Sequence, residues 1–137
     1  MVELPAGMID DAGTFAGGAA KEISEETGLQ VPESDLLNMT EVAIPKSSLD
    51  SEEQLQRAMY PSVGGSDEFI PLFLWQKRVR RDTLQEWSGK LTGLRDFGEK
   101  ITLKLCPLTD LWKVGARDAK CLGALALYEG LRKENKI

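Results

Sequence analysis

The 137 residues suffice for one domain with a modest core; 42% are hydrophobic and 28% charged, with a net charge of −5. An acidic balance argues against a nucleic-acid surface, and no apolar run approaches the roughly 20 residues that cross a bilayer, so neither partner is expected. Histidine is absent, which removes Ser-His-Asp and Cys-His catalysis and leaves carboxylates, lysine, tyrosine, hydroxyls or a hard cation held by oxygen.

Val2, Glu3 and Leu4 have the character of a strand end, which Pro5, Ala6 and Gly7 turn at once. A polar loop over 8–13 follows. Thr14 then caps a predicted helix whose apolar stripe is Phe15, Ala19 and Ile23, with Ala16 and Ala20 beside it, and Gly28 stops it. Residues 36–44 are strand-like, and 45–59 form a polar, acidic loop with a helical turn near 52–57. The strongly apolar run 68–75 is expected as a central strand, with Pro71 marking a bulge or an edge. Further on, 82–87 is a short helix or turn, and 101–105 alternates as a half-buried strand. A short helix over 107–114 and a longer one over 116–133 complete the chain. Strands and helices interleave, so the fold class is α/β or α+β in one domain spanning 1–137.

The two cysteines, Cys106 and Cys121, lack metal-ligand spacing and suit a reduced compartment as small buried hydrophobes. Trp75, Trp87 and Trp112 are expected in or near the core, outside any site. The basic run 77–81 is a solvated strand end.

The stretch KEISEETGL, residues 21–29, carries the chemistry. Glu22, Glu25 and Glu26 share one helix face at i, i+3 and i+4, where like charges cost about 0.2–0.5 kcal/mol per pair. One explanation is a solvated face. The other is a divalent cation, which converts mutual repulsion into shared attraction; the Gly7 turn upstream brings backbone carbonyls toward the same row. Carboxylates with carbonyls, water and phosphate oxygens form the octahedral set that Mg²⁺ or Mn²⁺ takes.

With those residues in hand, the sequence resembles the Nudix hydrolase family, whose signature is G-x5-E-x7-R-E-U-x-E-E-x-G-U, with U an aliphatic residue. Gly7 fills the first position without a gap, and Lys21, Glu22, Ile23, Glu25, Glu26, Gly28 and Leu29 fall on the closing block. Two positions depart: Gly13 replaces the first glutamate and Lys21 the arginine, which in the family brace the loop against the helix. The segments ELPAGMIDD, PSVGGSDE and GLRDFGEKI further resemble the ADP-sugar pyrophosphatase branch.

That resemblance implies an α/β/α sandwich around a mixed sheet, lacking its N-terminal strands in this chain, and a homodimer. It implies hydrolysis of the diphosphate bond of a nucleoside diphosphate sugar with Mg²⁺ or Mn²⁺ as cofactor. The Ala6 carbonyl, Glu22 and Glu26 would bind metal, and Glu25 would hold a further ion or orient water. Glu99, in the loop before the strand at 101–105, is the first choice as ligand or general base, and Asp96 the second; an exposed loop carboxylate is the alternative for Glu99. Gly7, Gly64, Gly65, Ser66, Asp67 and Glu68 would approach substrate, the last five being otherwise a plain turn. A rival reading is a catalytically inactive Nudix-like module that binds a nucleotide or a protein. The expected location is cytoplasmic, or an organelle if a segment precedes residue 1.

Overall fold

The computed structural model describes residues 1–8, 13–46, 55–94, 96 and 98–137. Of the helical turn expected at 52–57, residues 52–54 lie outside the described residues and 55–57 are not helical.

Helix α1 runs Phe15–Thr27 and is delimited by its own sequence. The Thr14 hydroxyl accepts from the Gly17 amide at 2.9 Å, and Gly28, at φ 72°, closes the other end in the left-handed region. The Lys90 ammonium lies against Gly28, where it complements the helix dipole. Phe15 stacks edge-on against Phe69, with centroids 6.0 Å apart.

The expected strand at 36–44 is corrected. Only Leu37–Asn38 is extended (β1); Met39–Ala43 is a helix, α2. Asn38 decides the switch, because its Oδ1 accepts from the Glu41 amide at 3.1 Å and from the Thr40 hydroxyl at 2.6 Å. The sequence Asn38-Met39-Thr40-Glu41 is an N-cap with an acid three residues on, and this local signal overrides the apolar run.

The central strand also contracts. Phe73–Leu74 (β2) pairs antiparallel with β1, Leu37 opposite Leu74 and Asn38 opposite Phe73. Upstream, Ile70 makes an isolated bridge with Met59. Pro71 stands between the two, as expected of a residue with no N–H for a ladder. Leu72 is diverted: its carbonyl accepts from the Met39 amide at 2.8 Å, and its amide donates to the Thr40 hydroxyl at 3.4 Å.

Arg81–Trp87 forms α3, close to the expected 82–87. A second antiparallel pair follows, β3 (Leu91–Thr92) with β4 (Ile101–Thr102). It is prolonged by hydrogen bonds from the Leu103 amide to the Lys90 carbonyl and from the Gly89 amide to the Leu103 carbonyl, both 2.9 Å. A 3-10 turn at Leu108–Asp110 leads into α4 (Leu111–Val114), and α5 spans Ala119–Lys133.

The chain is thus α+β, and among the described residues its sheet is two separate antiparallel pairs instead of one mixed sheet. The core is helical on one side: Met39 from α2, Leu72, and Ala124 and Leu131 from α5, with Leu4, Met59 and Leu127 packed around them. Gly123 lets α5 approach closely, since a Cβ there would collide with the Met59 sulfur. Residues 2–4 form no strand among the described residues; Leu4 is instead an extended anchor on this core. Trp112 departs from its expected burial and is 54% exposed, whereas Cys121 is fully buried and Cys106 half-buried. No described helix is long and apolar enough to cross a membrane.

Candidate metal and hydrolytic site

Two elements converge on the last two turns of α1. The segment entering from Leu4 lays Ala6 and Gly7 across the helix. The Ala6 amide donates to Glu26 Oε2 at 3.1 Å. Gly7 is in closer contact still: a Cβ there would sit inside the van der Waals envelope of the Glu22 carboxylate. Glycine at this position is a steric requirement of Glu22's placement.

The hairpin β3–β4 supplies the third wall. The Thr92 hydroxyl donates to the Glu26 carbonyl, which ties the hairpin to the C-terminal turn of α1. Gly93 then turns at φ 86°, with room for no side chain: a Cβ would lie 3.0 Å from the Glu99 carbonyl oxygen and 3.2 Å from Glu99 Cγ. Glu99 folds back so that its Oε2 accepts from the Leu94 amide at 2.8 Å, while its own amide donates to the Leu94 carbonyl at 3.2 Å.

Electrostatics registers the convergence. The Glu26 carboxyl is pushed up to about 7, first by burial and then by Glu22, Glu99 and Glu3, against the opposing pull of the Ala6 amide. Glu3 is a member that sequence reasoning did not single out; it stands four residues before Gly7, outside the family signature, and carried no signal of its own.

The remaining expected residues are less engaged. Glu25 is half-buried on α1, and Asp96 is exposed in the hairpin loop. Gly64, Gly65, Ser66, Asp67 and Glu68 lie in an exposed turn whose hydrogen bonds are internal: the Gly65 and Ser66 amides donate to the Ser62 carbonyl, both 2.9 Å, and the Glu68 amide to the Ser66 hydroxyl at 3.2 Å. At Gly13, where the signature has a glutamate, a Cβ would meet nothing within 4 Å among the described residues.

As a donor set the cluster fits a hard divalent cation: several carboxylate oxygens, no sulfur or imidazole, and a Glu26 carboxyl pushed up to about 7 by burial together with its acidic neighbours. The side chains are not closed into a coordination shell; among the described residues no three acidic groups already converge on one point. Glu26 and Glu99 are instead each held by a backbone amide.

What the fold and site define is a short α+β domain with glutamates from one helix face gathered beneath a glycine turn. Residues 1–123 match the NUDIX domain, and the chain belongs to that family. It is also similar to Nudix hydrolase 14, chloroplastic, from Arabidopsis thaliana, being 37% identical over 138 residues that cover 100% of this chain and 42% of the relative. The chain thus spans less than half the length of that curated relative. No solved structure matches it at comparable stringency.

Proposed function

We propose that the domain hydrolyses the diphosphate bond of a nucleoside diphosphate sugar. ADP-ribose would yield AMP and ribose 5-phosphate; ADP-glucose would yield AMP and a sugar 1-phosphate. The observation that carries this reading is the gathering of Glu22 and Glu26 beneath the Ala6–Gly7 turn, with the Ala6 amide bonded to Glu26 and burial, Glu22 and Glu99 raising the Glu26 carboxyl. Membership of the NUDIX family supports the reaction class, and the segments ELPAG, PSVGGSDE and GLRDFGEKI support the sugar nucleotide.

Glu22, Glu26 and the Ala6 carbonyl, with Glu25 and Glu99, would hold Mg²⁺ or Mn²⁺, which when bound offsets anhydride charge and acidifies water. The chain's own residues do the rest. Gly7, lacking a side chain, makes room for the Glu22 carboxylate and would bring its backbone toward the substrate's phosphates. Glu99, fixed by the Leu94 amide, accepts the proton of the attacking water, with Asp96 as the neighbouring acid in the same loop. Gly64, Gly65, Ser66, Asp67 and Glu68 offer amides and carboxylates to the sugar hydroxyls. A homodimer is part of the proposal, and the relative's chloroplastic name makes an organelle the compartment to test first.

The test is turnover of ADP-ribose, ADP-glucose and UDP-glucose with Mg²⁺, before and after EDTA, in the wild type and Glu22→Gln. Loss of orders of magnitude in the variant with an unchanged melting temperature supports the assignment; an unchanged rate removes it. Gly13 and Lys21, the two departures from the signature, favour the second reading, a binding module. Tight nucleotide binding without phosphate-bond cleavage would establish that reading instead.

A further inference from the structure

Asp118 is the N-cap of α5 and is only 5% exposed, yet nothing in the family signature points to it. Its two carboxylate oxygens have different tasks. Oδ1 accepts from the Lys120 amide at 3.0 Å, which caps the helix, and also meets the Lys120 ammonium at 3.1 Å. Oδ2 accepts from the Leu4 amide at 3.1 Å, 114 residues away in sequence. The Lys120 ammonium also reaches back to Glu3 at 3.4 Å.

The turn carrying Asp118 is itself braced. Its amide donates to the Gly115 carbonyl at 2.9 Å, and the Cys121 sulfur packs onto Gly115 so tightly that a Cβ there would collide with it. Leu4, the residue that Asp118 grips, is half-buried and packs against the core cluster. Two residues further on, the Ala6 amide is bonded to Glu26, and Gly7 abuts Glu22. The segment 3–7 is therefore clamped at one end by α5 and applied at the other to the glutamates of α1.

We propose that Asp118 is a positioning residue for the carboxylate cluster: by holding the Leu4 amide it fixes the height and register of Ala6 and Gly7 over Glu26 and Glu22. The consequence for metal uptake rests on the assignment of those glutamates as ligands; the consequence for the backbone does not.

Asp118→Asn separates the two tasks of the side chain. The amide oxygen retains the cap, but the NH₂ group then faces the Leu4 N–H, donor against donor. The variant is compared in the full chain with Leu131→Ala, a core truncation in the same helix that lowers global stability and leaves the hydrogen bonds of Leu4 and Ala6 in place. Amide exchange at Ala6, followed by NMR in EDTA, is expected to quicken about tenfold in Asp118→Asn and to stay unchanged in Leu131→Ala, because local opening is independent of modest global destabilisation. Mn²⁺ affinity by EPR should weaken about tenfold in Asp118→Asn alone, the size expected when a supporting contact is lost. Lost activity should return as Mg²⁺ is raised to saturation.

Wild-type Ala6 exchange in Asp118→Asn, or equal acceleration in both variants, overturns the proposal. If the wild type takes up no Mn²⁺, the ligand assignment fails, while the exchange comparison still decides whether Asp118 holds the segment.

Discussion

Replacing Gly7 by alanine adds one methyl group at the point where the entering backbone presses on the Glu22 carboxylate. The added atom cannot coexist with the present position of that carboxylate. Glu22 has three rotatable bonds, so it swings aside at a cost of about 0.5–1.5 kcal/mol for leaving its preferred rotamer. The fold thus loses little, a shift of a few degrees in melting temperature at most. The site loses more. Displacing one carboxylate from a shared set should weaken Mn²⁺ binding by about 10- to 100-fold, or roughly 1.4–2.7 kcal/mol. Mn²⁺ titration by EPR alongside thermal melts measures both quantities on one preparation. Equal Mn²⁺ affinity in wild type and Gly7→Ala would refute the contact, and a large loss of stability would show that the glycine serves the fold instead.

Two further outcomes follow from the same geometry. In EDTA the Glu26 carboxyl binds a proton up to about pH 7 in the folded chain and to 4.5 in the unfolded one. The folded state therefore holds more protons between those limits, and this group's contribution to stability declines as pH rises through that window. The full shift would correspond to about 3.4 kcal/mol; with the side chain only partly buried and so screened by solvent, about 1–2 kcal/mol is expected. Urea denaturation across that range should show this slope in the wild type and not in Glu26→Gln, and an identical slope in both would exclude Glu26 as its source. Gly93→Ala forces a methyl group into a φ of 86° and against the Glu99 backbone at 3.0 Å. It should destabilise the protein by about 1–3 kcal/mol and reduce kcat more than KM; a variant with wild-type kcat would sever Glu99 from the chemistry.

The sequence was most legible where a local rule and a global need coincide. Thr14 and Gly28 bound α1 because cap chemistry is written in single residues, and the glutamate spacing exposed the site because carboxylates on one face of an isolated helix repel. Gly7 was readable from its distance to that block. Residues 36–44 misled because their apolar content hides the Asn38 cap, and a side-chain hydrogen bond outweighs β propensity there. The pair at Leu91–Thr92 escaped notice because two residues cannot display a period. Glu3 and Asp118 were invisible for another reason: each meets a partner more than 100 positions away in the chain, and Glu3 also acts on Glu26 through space, and a linear pattern holds no record of such meetings. In hindsight an aspartate just before Ala119 was a cap signal, which would have placed the start of α5 but not its grip on Leu4.

The bond from the Thr92 hydroxyl to the Glu26 carbonyl has a mechanical corollary. It fastens the loop that presents Glu99 to the same turn that presents Glu26, so any tilt of the hairpin carries both acids in one stroke. The two carboxylates are thereby coupled to one another, whatever the rest of the fold does around them.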